Sequence, residues 1–331
     1  MRISSLISKG NVVNVEIKDD CIRYVELKSK EPLVVSHFGE HYLEEGIIQH
    51  GRIVDQEAFS TILATCIQKW RLKRKAIRFI LPDAAVVVRT DDVPADVPDD
   101  EIIGHLYFEL DHSIHLPFDQ PIIDAAVLRQ NEEKKKVLLV AAPKEVVHSF
   151  QNELKEQRTN PTVADISPLC QYRLFHHFQL TSANEHYLLI QMNMKTITVS
   201  IFDEDRPSFM QQFPIPYMEE AWKAKIVENG SLLDLTECKE VLVLSAIEDI
   251  FIEIERILRF YQFSIHNGTQ EITKLLLSGD HPFFYKIKDT MKNRFTMPIV
   301  TISEEFIQTS QKDTIQPKWF SALGLAVREG N

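Results

Sequence analysis

The hairpin at residues 12–27 holds the residues of this chain best placed to meet a phosphate. Two β-rich runs flank the turn Lys18-Asp19-Asp20. A turn that cradles phosphate brings backbone N–H groups in at close range, which calls for small residues. Here two carboxylates stand at the tip instead. His105, Glu109 and His112 recur at i, i+4 and i+7 with His115 nearby, a spacing at which imidazole and carboxylate could ligate zinc. No further ligand is identifiable, so a solvated helix face is expected and no metal. Cys170 with His176 and His177 offers a thiol and two bases. Nothing marks an oxyanion hole beside them, and no nucleophilic role is expected. The run Lys69-Trp-Arg-Leu-Lys-Arg-Lys-Ala-Ile-Arg78 is the strongest basic cluster. A helix C-terminus followed by a solvated loop is the expected reading. An electrostatic contact with an acidic partner or the inner leaflet of a membrane is the alternative.

The chain around these residues has 331 residues, long enough for two lobes or several subdomains. Hydrophobic residues at 44% and charged residues at 26% are ordinary for a soluble protein. The net charge of −11 argues against nucleic-acid binding and against general adhesion to anionic lipid. No apolar run approaches the roughly 20 residues that span a bilayer. Residues 1–10 hold too short an apolar stretch for a secretion signal, so the cytoplasm is the expected compartment. Cys21, Cys66, Cys170 and Cys238 show no CxxC spacing and read as reduced thiols.

Hydrophobic periodicity then places the elements. A strand is expected near 33–38, a helix at 55–70 capped by Asp55, and strands at 76–81 and 84–90. Helical spacing predicts a helix over 99–114, followed by strands 122–128 and 136–142 and a helix over 144–157. The β-α-β-β-α block at 84–157 reads as a self-contained insertion. A short strand at 163–166, a helix at 169–180 and a second hairpin at 187–190 and 196–202 follow. Residues 214–236 read as helical and loop-like, and 241–244 as strand or helix end. A long helix at 249–263, a strand at 274–278, a helix at 283–294, a strand at 299–302 and a closing segment at 319–327 complete the chain. Two hairpins about 175 residues apart in an α/β alternation suggest duplicated halves.

Local motifs carry a resemblance. Leu43-Glu-Glu-Gly-Ile-Ile-Gln-His-Gly-Arg-Ile-Val-Asp55 opens the series. Next come Phe108-Glu109, Ile114-His-Leu-Pro-Phe-Asp119 and Asp124, then Val137-Leu-Leu-Val-Ala-Ala-Pro-Lys-Glu-Val-Val147. Glu253-Ile-Glu-Arg-Ile-Leu-Arg-Phe-Tyr261 and Ala322-Leu-Gly-Leu-Ala-Val-Arg328 close it. In order and spacing these pieces resemble the PilM family of type IV pilus assembly proteins, of the actin-like FtsA class. The resemblance implies a two-lobed, actin-like α/β ATPase fold with a 1C subdomain insertion. Subdomain 1A would comprise 1–83, 158–185 and about 310–331, and 1C residues 84–157. Subdomain 2A would comprise 186–212 and 264–309, and 2B residues 213–263.

In this family three loops hold ATP, and all three depart from the pattern here. Glu16 stands for the Asp of the first phosphate loop, Lys18 for its turn Gly, and Asp19 and Asp20 for small hydroxyl residues. In the second, Gln191 replaces Asp and Asn193 replaces Gly. In the adenosine loop only Gly279 survives, followed by Asp280, His281 and Pro282. Added carboxylates repel a triphosphate wherever water is scarce, although Mg²⁺ could offset this. A scaffold with no cofactor is therefore expected, with ATP and Mg²⁺ as the alternative.

The resemblance also implies a partner: the short N-terminal cytoplasmic tail of a PilN-like bitopic membrane protein, beside other pilus-assembly proteins. The tail is expected in a groove between 1A and 1C, walled by Val86, Val88, Ile103, Tyr107, Leu116 and Phe118. Subdomain core is the plainer reading of those six. The chain is then peripheral to the inner face of the membrane through its partners, with no direct insertion, and self-association is compatible with it. An ATP-driven actin-like polymer is the first rival, and the altered loops oppose it. An FtsA-type division protein is the second. It would carry an amphipathic membrane helix after a C-terminal linker, whereas only Glu329–Asn331 follow the last motif.

Overall fold

Two antiparallel hairpins organise the chain. In this computed structural model, residues 12–110, 112–218, 222–227, 230–235, 238–311 and 314–329 are described. The reading of residues 1–10 lies outside them. Strand Val13–Ile17 pairs antiparallel with Cys21–Ser29, which pairs antiparallel with Val34–Tyr42. On its other side Val13–Ile17 runs parallel to Ala76–Ile80, which runs parallel to Asn160–Asp165. The second half repeats this plan. His186–Met192 pairs antiparallel with Thr196–Asp203, and that strand with Arg206–Pro214. Parallel strands Lys274–Gly279 and Ile299–Val300 complete its sheet. Strand order and direction are thus the same in both halves. The two strands at the centre, Val13–Ile17 and Tyr187–Met192, are buried throughout, as strands covered on both faces must be.

Helices Ser167–His177 and Phe320–Ala326 lie between the sheets. Leu174, Phe175, Phe320 and Leu323 from these helices share one core with Val25 of the first sheet and with Tyr187, Leu189 and Leu276 of the second. Gly324 permits their crossing, since a Cβ there would lie 1.7 Å from the Cys170 carbonyl oxygen. A core of this kind ties the two lobes together through apolar burial.

Strands Val87–Pro94, Pro121–Gln130 and Lys134–Pro143 form a separate three-stranded sheet. Ile102 and Leu106 of helix Ile102–Phe108 pack on one of its faces with Val93, Ile123 and Leu139. Helix Lys144–Glu156 buries Val146, Phe150 and Leu154 against the first lobe. The helix read over 99–114 is shorter than its periodicity suggested. The N–H groups of His112, Ser113 and Ile114 all converge on the Glu109 carbonyl and close the chain into a turn. By contrast, helix Gln56–Lys69 follows its pattern. Asp55 caps it by accepting from the Ala58 N–H at 2.9 Å, and Phe59, Leu63, Cys66 and Ile67 face inward.

Two further differences lie in the second lobe. The stretch read as helical and loop-like contains a hairpin, Lys223–Val227 with Gly230–Asp234. Residues 241–244 belong to the long helix Glu240–Arg259, because Val243, Ala246 and Ile247 extend its buried stripe by two turns.

Candidate functional site

The three altered loops meet in one cleft and are tied to one another. Lys18 Nζ donates to Asn193 Oδ1 at 2.9 Å and to Asp280 Oδ2 at 3.3 Å, and lies 3.5 Å from Glu16 Oε1. One lysine therefore bridges both hairpin turns and the loop after Lys274–Gly279. Arg23, almost fully buried, adds a second tie. Its Nη1 donates to Asp280 Oδ2, and its Nε donates to Glu40 Oε1 at 2.7 Å. Lys318 Nζ donates to the other Glu40 oxygen at 2.6 Å. Arg23, Glu40 and Lys318 were not legible as site residues. Arg23 shares its strand with Glu26 and Lys28, and Lys318 lies in a helical turn, so no local pattern singles them out.

The remaining predicted positions surround this network. Gln191 Nε2 donates to Ser167 Oγ at 2.9 Å, and Ser167 donates to Asp83 Oδ2 at 2.8 Å. Asp19 Oδ1 accepts from the Gly51 N–H at 3.0 Å, so it holds a loop of its own lobe. Gly279 has φ +133°, and a Cβ there would lie 2.0 Å from the Met192 carbonyl oxygen. Close approach of these two strands suffices to require glycine at this position. Beside the network a cavity of about 220 Å³ remains, lined by Glu16, Lys18, Asp20, His50, Asn193 and Lys195 among others. Ligand pockets usually offer about 300–1,000 Å³.

Burial and charge pull the two acids of this cleft apart. Burial opposes ionisation of Asp280, but Lys18 and Arg23 outweigh it and hold its carboxyl well below the usual range. Asp20 is raised to about 6 by burial, then by repulsion from Asp280. Its Oδ2 and Asp280 Oδ1 are buried without hydrogen-bond partners. Burial likewise lowers His281 to about 4, leaving it neutral at physiological pH. Asp20, Cys21 and Asp280 place potential ligand atoms within 4.8 Å of one another, but Lys18 and Arg23 already bring positive charge to Asp280.

A raised carboxyl pKa favours the protonated fold. Stability from Asp20 is therefore full below the unfolded value near ~4 and is lost as pH rises through about 6. Asp20→Asn is expected to stabilise the fold by roughly 1–2 kcal/mol at pH 7.5. The gain should vanish at pH 4.5 in urea titrations. An equal gain at both values would remove the charge argument.

A second and larger concavity of about 920 Å³ opens between the first lobe and the three-stranded sheet. Ile122, Asp124, Val140 and Ala142 supply its sheet wall. Ile166, Leu169, Arg173 and His176 form the opposite wall, with Val327 and Arg328 beside them. Asp165 fixes this side, accepting from Arg173 Nη2 at 2.9 Å and Arg328 Nη1 at 2.8 Å. Of the six residues expected in a groove wall, Val86 lines it. Val88 is buried in the first-lobe core, and Leu116 and Phe118 pack against the core of the small sheet. Ile103 and Tyr107 are exposed on helix Ile102–Phe108, and Tyr107 Oη donates to the Pro121 carbonyl at 3.1 Å. The wall residues of helix Ser167–His177 were missed because they share a helix with core residues.

The other two clusters do not assemble. His105, Glu109 and His112 are not brought together as ligands, and Glu109 accepts from the Ser113 hydroxyl at 2.6 Å. Cys170 is fully buried, and burial pushes its thiol well up. His176 and His177 face the groove instead.

No curated protein sequence matches the chain. Its fold is similar to that of a PilM–PilN type IV pilus biogenesis complex, with a TM-score of 0.76 and 17% identity, covering 97% of this chain and 98% of that one. It is also similar to the ethanolamine utilization protein EutJ from Carboxydothermus hydrogenoformans, with a TM-score of 0.51 and 10% identity, covering 95% and 89%. A third similar structure is a Bacteroides thetaiotaomicron protein with an actin-like ATPase fold and unknown function, with a TM-score of 0.50 and 11% identity, covering 99% and 100%. The fold is actin-like, as the family resemblance implied. The family model for type IV pilus assembly protein PilM matches residues 14–330, and the chain belongs to that family.

Proposed function

We propose that this chain is a non-catalytic adaptor of a type IV pilus or related competence-pilus assembly machinery. It binds the N-terminal cytoplasmic tail of a PilN-like bitopic membrane protein in the groove of about 920 Å³. That groove is the observation that carries the reading. It is lined by Ile122, Val140, Ile166 and Leu169 and flanked by hydrogen-bonding side chains, features that suit an extended peptide. The tied cleft supports the second half of the reading, in which nucleotide plays no part. The chain would then lie in the cytoplasm, held at the inner face of the membrane by its partner. No described helix is long and apolar enough to cross a membrane.

The test is calorimetric titration of the purified protein with two ligands. One is a synthetic peptide of the cytoplasmic tail of the bitopic protein encoded beside it. The other is Mg-ATP at millimolar concentration. The peptide is expected to bind and Mg-ATP to give no heat. Micromolar affinity for Mg-ATP would favour the rival, an actin-like protein whose nucleotide state controls polymerisation or partner binding. No binding of the tail would count against the adaptor.

A further inference from the structure

The basic run at 69–78 is one half of a larger feature. Its turn abuts a second turn, at residues 155–160, at the end of the first sheet remote from the cleft. The Arg74 N–H donates to the Arg158 carbonyl at 2.8 Å, and the Asn160 N–H to the Lys75 carbonyl at 2.9 Å. The pair of turns exposes Arg71, Lys73, Arg74, Lys155 and Arg158 side by side. No ion pair engages any of these five among the described residues, whereas neighbouring Lys75 is held by Glu26. Arg71, Arg74 and Arg158 have φ of 59°, 66° and 60°. Glycine and asparagine fill that conformation at lower cost, so three arginines there are not explained by local backbone preference. Lys69 and Lys155, in the last turns of their helices, fit the dipole explanation, but Arg71, Lys73, Arg74 and Arg158 lie beyond the helices.

We propose that this double turn is a contact surface for an anionic lipid bilayer. The chain carries a net charge of −11, so a face that gathers cations is the one suited to approach anionic lipid. None of the larger cavities reaches these residues, and they offer no pocket to seat a single phosphate or acidic side chain. Flat, unpaired cations of this kind suit a laterally spread negative charge. Trp70, half-buried and stacked 4.7 Å from Tyr24, stiffens the base of the patch. The proposal is independent of the tail-binding groove, which lies at the other end of strand Asn160–Asp165.

Co-sedimentation with phosphatidylcholine vesicles, with and without phosphatidylglycerol, tests it on the full chain. Binding is expected only to the anionic vesicles and should fall steeply as salt is added. The variant Arg71→Asn/Arg74→Asn/Arg158→Asn keeps residues suited to positive φ, so its thermal transition should be at least as high as the parent's. Its vesicle affinity should fall ~tenfold or more. Equal binding to neutral vesicles, or an unchanged variant affinity, would overturn the proposal. So would arginine-dependent binding of poly-glutamate with no binding to anionic vesicles, which assigns the face to an acidic protein. A groove variant that loses the tail but keeps the vesicles leaves this proposal standing.

Discussion

Asp280→Ala is expected to destabilise the fold by about 3–5 kcal/mol, read from urea denaturation at neutral pH. Asp280 is the shared anion of Lys18 and Arg23, and its removal leaves half-buried Lys18 with Glu16 at 3.5 Å and buried Arg23 with Glu40 at 2.7 Å. Asp280 is the acid nearest to both cations, so its loss raises the cost of holding them out of water even with Glu16 and Glu40 in place. The pH dependence of the parent carries the same signature. A depressed carboxyl contributes stability that is complete above the unfolded value near ~4 and is lost as pH falls toward the folded value. Asp20 acts in the opposite sense through about 6. The parent should therefore be most stable near about pH 4 and lose stability as pH rises toward 6, and Asp280→Ala should flatten the acid limb. A loss under about 1 kcal/mol with an unchanged acid limb would mean that the ties are surface ornaments.

The double variant Asp280→Ala/Lys18→Met separates pair from burial. If the cost is an orphaned cation, removing that cation should recover part of it, giving a coupling of at least about 1 kcal/mol. Simple additivity would place Lys18 and Asp280 outside a common network.

The duplicated halves were legible because each hairpin announces itself by β-branched runs around a polar turn, as Val13–Ile17 and Cys21–Ser29 do. The altered loops were legible residue by residue, since Glu16, Lys18, Asn193 and Asp280 occupy positions where phosphate chemistry needs small groups. Their consequence was not. Lys18 reads as a lost glycine, and only the folded chain shows its ammonium reaching Asn193, 175 residues away. Long-range pairs of this kind leave no periodicity. A concavity does lie between the first lobe and the small sheet, but of the six residues expected to wall a groove only Val86 lines it. Leu116 and Phe118 have the hydrophobicity of a wall, yet they serve the small sheet's own core. The walls come instead from Ile122, Leu169 and Arg173, whose exposure is set by the gap between two packed bodies rather than by any local pattern.

That gap makes the sharper test of the adaptor. Ile122→Arg and Leu169→Arg together are expected to lower affinity for the tail peptide by at least ~100-fold, about 3 kcal/mol, in the same calorimetric titration. Both residues are half-buried and line opposite walls, so two guanidinium groups would enter the space an extended peptide must fill. Neither side chain belongs to the fully buried core, and the thermal transition should drop by only a few degrees. Ile103→Arg supplies the contrast, because Ile103 is exposed on helix Ile102–Phe108 and lies outside the groove lining. If the tail is held between the lobe and the small sheet, Ile103→Arg leaves its affinity unchanged. Loss of binding in Ile103→Arg alone, with the groove pair unaffected, would move the partner to the outer face of that helix.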